Sequence, residues 1–543
     1  MLPSAAFVHS ATFKFNTDFI YLDETPRTIV TSSASRVVHG TQEAATVCPF
    51  GRPGGDMRLF LCLLLVLLLP ACAINPVHQT GLCNFKRSVI DVDMPSGGAE
   101  AVPAAAGMLS PPPRKTSEDL LFDALSRSGT VGATSDGRPI APAMLFLSGG
   151  SQHGAFGAGF LKGWKERETH LPKFAVVTGI STGAILSTFA FIDEPDVMAK
   201  AYSIQNENRL LKPLVSVKGG SPTIKGYVGL VKKGAIADLR PLRGFLSDVL
   251  NDSVLADVAA GALEGRILRV GVVNVDTGTA VSLDLADMAR RWATADAALQ
   301  AAGSDTIAAE KARKAKEEAK ACYVEAIVAS SSAPLAALPV FIDERMYIDG
   351  GARFGAYSNE FEKFVALARR PANLVRGKAL SPTVYLLING DQNIPSRCGR
   401  KDDADCDPPR TSENKGKPLG DPAEDKPADG KLPGPHGKWQ FLKMALRSEQ
   451  ILGNQVYRFS ADSIANLARR EKMSLYYAQI NADKGAHPFH LKDDKLGEGD
   501  MTCDQAYELD KRLLDPVQFY PRYMRCLVDY GYRRGLVEWV AEE

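Results

Sequence analysis

Apolar runs of strand length alternate with helical patterns through the middle of the chain. "AMLFLS" (143–148) is an uninterrupted apolar run, followed by a glycine-rich stretch and a helix through Trp164 and Glu166. "KFAVVTGIS" (173–181) repeats the arrangement, with a second apolar strand, a sharp turn and a helix over "TGAILSTFAF". "RILRVGVVNVDTGTAVSLDL" (266–285) reads as two strands joined by a turn at Asp276-Thr277-Gly278. "TVYLLING" (383–390) is a further buried strand. Strands without polar alternation, interleaved with helices, predict an α/β fold with a mostly parallel central sheet covered by helices on both faces.

Other patterns interrupt or flank this core. "DTIAAEKARKAKEEAKACY" (305–323) is a charged, alanine-rich helix expected to lie in solvent. Residues 395–437 are rich in Pro, Asp, Lys and Gly and predict a long mobile loop. Residues 439–480 are helical in pattern, and the closing "PVQFYPRYMRCLVDYGYRRGLVEWV" is aromatic and amphipathic. The expected organisation is an α/β domain over 141–394 and a helical C-terminal region, 438–543, packed on it. Ahead of the core, residues 94–114 are rich in Pro, Ala and Gly, and Ser117 fits the N-cap of a short helix over "EDLLFDALSR"; 73–140 therefore predicts a tether with one short helix.

"MRLFLCLLLVLLLPACA" (57–73) sets Arg58 before an apolar run from Leu59 to Leu69 and then small residues, the layout of a secretory signal peptide too short to span a bilayer comfortably. Leu69-Pro70-Ala71-Cys72 resembles a bacterial lipobox, in which Cys72 would be lipidated, although Pro70 departs from the usual residue. Ala71-Cys72-Ala73 also fits ordinary cleavage after Ala73, and an uncleaved anchor is the third option. A signal peptide belongs at an N-terminus, so translation is expected to start at Met57, with 1–56 an untranslated or disordered upstream segment. The location that follows is the cell envelope, as an exported bacterial lipoprotein of the outer membrane or periplasm, with simple secretion as the alternative.

Cysteine usage agrees with export. Apart from Cys48, Cys62 and Cys72, six remain: Cys83, Cys322, Cys398, Cys406, Cys503 and Cys526. Proximity in sequence suggests Cys398 with Cys406 and Cys503 with Cys526, while Cys322, in a helical pattern, is expected to be a free buried thiol. A formal charge of +1 over 543 residues, with no basic stripe, speaks against a nucleic-acid partner. No His or Cys pair has ligand spacing, so no metal or other cofactor is expected.

The chemistry concentrates in two turns. Gly179-Ile180-Ser181-Thr182-Gly183 is a G-x-S-x-G between an apolar strand and a helix, the setting of a nucleophile elbow, where flanking glycines leave room for a strained turn. The plain alternative is a strand-to-helix turn with Ser181 as N-cap. "LFLSGGSQHGAFGAGF" (145–160) opens a helix on glycines, so unpaired backbone N–H groups and the helix dipole suit a developing oxyanion. It lacks the Lys-Ser/Thr of a P-loop and the spacing of a dinucleotide fingerprint.

Gly149-Gly150-Ser151-Gln152-His153-Gly154 behind a strand, then Gly179-x-Ser181-x-Gly183, then "ASSSAPLAALPV" (329–340), then Asp349-Gly350-Gly351, resemble in their order a patatin-like phospholipase of the bacterial, lipoprotein type. The resemblance covers roughly 143–390, and the C-terminal "DYGYRRG" is similar to tails of bacterial members. It implies a three-layer patatin-like fold and a Ser-Asp dyad, with Ser181 as nucleophile and Asp349 as general base. Backbone donors at Gly149, Gly150 and Ser151 would form the oxyanion hole, supported by His153, Gly154, Gly179, Gly183, Gly350 and Gly351. "SSSAPLAALPV" would line the acyl region, and the substrate would be a lipid ester at a membrane surface, of phospholipid or lysophospholipid type. Two positions depart from the family pattern: Ser151 replaces the third glycine and His153 the basic residue. Two other readings stay open: an α/β-hydrolase triad drawing on His436, His487 or His490, and a non-catalytic lipid-binding lipoprotein on the same fold.

Overall fold

The computed structural model describes residues 81–90, 141–215, 217–218, 221–222, 226, 233–358, 383–390, 441–493, 497–514, 516–537 and 539–542. The signal segment with Cys72, the short helix expected after Ser117 and the 395–437 loop with Cys398 and Cys406 lie outside these residues.

Ten described strands form one sheet: β1 (Arg87–Val89), β2 (Ala141–Leu147), β3 (Phe174–Ile180), β4 (Ile267–Asn274), β5 (Ala280–Asp284), β6 (Val340–Ile342), β7 (Arg345–Asp349), β8 (Thr383–Ile388), β9 (Leu475–Gln479) and β10 (Val540–Glu542). Their order is β1-β5-β4-β3-β2-β8-β9-β10, with the β6–β7 hairpin joined to β4 through β7. From β4 across to β9 the pairing is parallel. Every residue of β3 and β4 is buried, which is why neither run alternates: helices cover both faces. β4 and β5 are the antiparallel pair predicted around Asp276-Thr277-Gly278.

The helices are α1 (Gly154–Glu168), α2 (Thr182–Phe191), α3 (Pro195–Tyr202), α4 (Arg240–Val249), α5 (Asp252–Leu263), α6 (Leu285–Ala301), α7 (Thr306–Ser330), α8 (Phe441–Arg470), α9 (Cys503–Leu513) and α10 (Pro521–Gly535). The charged helix α7 begins at an Asp305 cap, whose carboxylate accepts from the N–H groups of Ile307 and Ala308. Its first turns are in solvent as expected, but Cys322 through Ser330 are buried, so it changes from surface to core along its length. Beyond Lys320 the one charge left in the helix is Glu325, ion-paired with Arg243, and "YVEAIVAS" is the part that enters the core.

Two expectations are corrected at this edge of the sheet. Residues 81–90, within the expected tether, form an edge strand: β1 pairs antiparallel with β5. The Asp343 carboxylate accepts from the N–H groups of Asn84 and Phe85 at 2.8 and 3.2 Å, and Arg291 donates to the Cys83 carbonyl at 2.7 Å. That docking carries Cys83 to α7, where it is disulfide-bonded to Cys322, so Cys322 is not a free thiol. A separation of 239 residues conceals such a pair from proximity reasoning. Cys503 and Cys526 are bonded as proximity suggested.

The C-terminal region is less purely helical than its pattern predicts. After α8, β9 adds in parallel to β8 and β10 closes antiparallel on β9, so this region extends the central sheet. "LYYAQ" is short and aromatic, and the open edge of β8 decides its conformation. The closing aromatics pack on the core as expected. α10 lies against α1 at backbone distance: a Cβ on Gly159 or Gly163 would strike the Val528 or Tyr532 carbonyl, and one on Gly531 or Gly535 the Phe156 or Phe160 carbonyl. Small residues on both faces bring two helix axes closer than ordinary side chains permit.

Candidate active site

β3 ends with Ile180 opposite Gly271 of β4, and β7 takes up the same edge one residue further, with Asp349 opposite Val272. The other edge of β4 is occupied by β5. Hence β3 and β7 meet end to end along one side of β4, and Ser181 follows the end of one while Asp349 ends the other. A Cβ on Gly350 would meet the Gly271 carbonyl and, at 3.2 Å, Ile180 Cγ2, so Asp-Gly-Gly fits because the two chain ends abut.

Ser181 has φ 54° and ψ −122°, a conformation a non-glycine residue holds only under constraint. A Cβ on Gly179 would run into the Gly183 carbonyl, and one on Gly183 into that of Leu147. The Ser181 side chain makes no capping hydrogen bond to α2, which favours the elbow over the N-cap reading.

The end of α7 braces both residues. Ser181 N–H donates to Ser330 Oγ at 3.0 Å, and Ser330 Oγ in turn donates to the Gly271 carbonyl at 2.7 Å. Ser331 Oγ donates to the Ser181 carbonyl at 3.3 Å, and Asp349 N–H to the Ser332 carbonyl at 2.9 Å. The stretch read as acyl lining thus has two parts: its serines hold the backbone, and Ala333, Ala336 and Ala337 face the cleft. Asp349 is 4% exposed, and its Oδ1 accepts from Gly351 N–H at 2.7 Å.

In the glycine turn, Gly149 N–H already donates to the Gly355 carbonyl at 3.1 Å, which removes Gly149 from the expected set of donors and leaves Gly150 and Ser151. Gly150 has φ 155° and the Asn389 backbone pressed against it, so no other residue fits. Ser151 has φ 52°, in the left-handed region that favours glycine, at a cost of about 1 kcal/mol. Its Oγ accepts from Gln518 Nε2 at 2.8 Å. Gln152 Oε1 accepts from Tyr520 N–H at 3.2 Å, and His153 sets its ring edge-to-face with Tyr523. Both departures from the family pattern are therefore supported from residues 518–523.

An apolar cleft of about 720 Å³, counted with its open mouth, leads away from Ser181. Ile185, Leu210, Leu242, Phe245 and Phe519 form its walls, with Ser151 and Gln518 among its polar residues. The buried Glu207 carboxylate fixes the 517–519 wall by accepting from three backbone N–H groups, those of Val517, Gln518 and Phe519, at 2.8 to 3.3 Å. Tyr202, also in the wall, is hydrogen-bonded to Thr182; burial raises its pKa, more than that bond lowers it, so the hydroxyl stays neutral. His487 is paired with Asp529 at 2.9 Å and His490 with Asp500 at 2.7 Å, and neither lines the cleft. His436 lies outside the described residues.

Sequence reasoning missed Gln518, Glu207 and Asn389. Asn389 ties β8 to the glycine turn, with Nδ2 donating to the Ser148 carbonyl and its N–H to Ser148 Oγ, both at 2.8 Å. An Asn-Gly pair at a strand end was the available signal for it. Nothing local marks Gln518 or Glu207, because their roles exist only after long-range docking.

Residues 145–359 match the family model described as patatin-like phospholipase. No curated protein matches the chain. Among solved structures, the crystal structure of VipD from Legionella pneumophila aligns with 46% of this chain and 50% of its own at 12% identity and a TM-score of 0.25. The chain spans about half the length of that structure, and a likeness at this level carries no argument about the site. Over residues 145–359, which hold both the Ser181 turn and the Asp349 turn, the chain is therefore similar to patatin-like phospholipases.

Proposed function

We propose that the chain is a serine acyl hydrolase that cleaves lipid esters of phospholipid or lysophospholipid type with a Ser181–Asp349 dyad. The observation that carries this reading is the end-to-end meeting of β3 and β7 on one edge of β4, beside an apolar cleft. Ser181 Oγ attacks the ester carbonyl while Asp349 takes its proton; the Gly150 and Ser151 N–H groups receive the oxyanion. The proton then passes from Asp349 to the leaving alkoxide, and water hydrolyses the acyl-enzyme by the reverse relay. A carboxylate is a weak base in water, and burial supports its use here by excluding solvent. Lipidation at Cys72 would tether the enzyme to an envelope membrane, which favours membrane lipid as substrate.

The test is a panel of defined phospholipids, lysophospholipids and neutral esters assayed with the mature chain and with Ser181→Ala, alongside labelling by a fluorophosphonate. The reading requires an adduct on Ser181 and loss of hydrolysis in Ser181→Ala. Folded protein that takes no adduct would instead be a lipid-binding protein. Mass spectrometry of the natural N-terminus tests the tether: an acylated Cys72 is expected, and any peptide from residues 1–56 overturns the Met57 start.

A further inference from the structure

The long helix α8 lies beyond the family-matched segment, yet it places one side chain at the centre of the site. Gly149, Gly355 and Gly390 form a slot for the Tyr457 ring. A Cβ on Gly390 would lie 3.0 Å from the ring, and one on Gly355 would strike both ring and Tyr457 backbone. Ser460, one turn along α8, accepts the Gly355 N–H at 2.9 Å and fixes the register of the helix against the slot. The hydroxyl end points inward. A Cβ on Gly149 would lie 2.6 Å from the Tyr457 hydroxyl and 3.2 Å from Ser181 Cβ; one on Gly351 would lie 3.8 Å from that hydroxyl and 3.0 Å from Asp349 Oδ1. These shared points put the hydroxyl within about 6 Å of Ser181 Cβ and within about 7 Å of Asp349 Oδ1.

We propose that Tyr457 is a further catalytic residue, whose hydroxyl donates a hydrogen bond to the leaving-group oxygen of the ester. The assignment rests on the Ser181–Asp349 reading. Gly150 and Ser151 offer their amides to the carbonyl oxygen, so the oxygen left for Tyr457 is the one that departs past Asp349. As the tetrahedral intermediate collapses, the carbon–oxygen bond breaks, its electron pair goes to the leaving alkoxide, and the proton on Asp349 transfers to that oxygen. The phenol keeps its own proton throughout and stabilises charge that develops only in the transition state, which lowers the barrier without tightening ground-state binding.

Tyr457→Phe tests this, because the ring still fills the glycine slot. For glyceryl or alkyl esters, kcat/KM is expected to fall 10- to 100-fold at nearly constant KM, the range for a lost hydrogen bond to a charged group. For p-nitrophenyl esters of the same acyl chain, whose leaving group needs little help, the fall is expected to stay within about threefold. Equal losses on both ester classes, or no loss on either, overturn the proposal. Gly390→Ala, which pushes the ring out of its slot, is expected to reproduce the same ester-class difference in milder form. If Ser181→Ala retains hydrolysis, the dyad reading falls; if Ser181→Ala is inactive and Tyr457→Phe matches the unaltered chain, only the assignment of Tyr457 falls.

Discussion

The segment 145–359 and the segment 441–542 contribute to one site by different means. In the first, backbone pairing places the chemistry: the register of β3, β4 and β7 brings Ser181 to Asp349, and three consecutive serines at the end of α7 hold both. In the second, side chains and close packing support what the first leaves strained or open. Gln518 reaches Ser151, Tyr523 meets His153, Tyr457 fills a slot beside Gly149, and α10 presses on α1 through glycines. The proposed catalytic pair is thus written in short motifs, while its walls and supports are drawn from remote sequence.

The sharpest break of this division would be activity without the buried carboxylate. Asp349→Asn can still accept from Gly351 N–H but cannot take a proton, so kcat/KM is expected to fall about 10²–10⁴-fold with the melting temperature little changed. Replacing Cys83 and Cys322 by serine frees the edge segment from α7 and is expected to cost about 2–5 kcal/mol, read as a lower melting temperature and reproduced by reductant. On the supporting side, Gly531→Val drives a branched side chain into the Phe156 carbonyl and is expected to destabilise by about 3 kcal/mol. Gly453→Ala, in α8 with nothing near its Cβ, is expected instead to stabilise by about 0.5–1 kcal/mol. The smallest effect sharpens the comparison most. Gln518→Ala is expected to lower kcat/KM a few-fold, and that loss is expected to vanish in a Ser151→Gly background, where no hydroxyl remains to be held.

What could be read from the sequence follows the range of the forces involved. The parallel strands were visible because covered strands must be continuously apolar, and the elbow because a strained turn needs glycine on both sides. Gly149 misled, because a motif does not show that a backbone N–H is already given to Gly355. Cys322 misled for a related reason: its partner arrives with a segment whose composition reads as linker. β9 was hidden because its conformation follows from the unpaired edge of β8 more than from its own five residues. Tyr457 and Gln518 had no local signal, since their surroundings come from distant parts of the chain.

The glycine contact between α1 and α10 also bears on the order in which the molecule is made. A ribosome finishes the elbow and Asp349 long before it reaches Gly531, so for that interval α1 has no partner for its Gly159 and Gly163 face. The strained Ser151 turn is likewise unsupported until Gln518 emerges. The Ser181 and Asp349 turns therefore gain their full surroundings only after Gly535 has emerged, and a chain stalled before that point holds both residues of the proposed dyad without the scaffold that sets them.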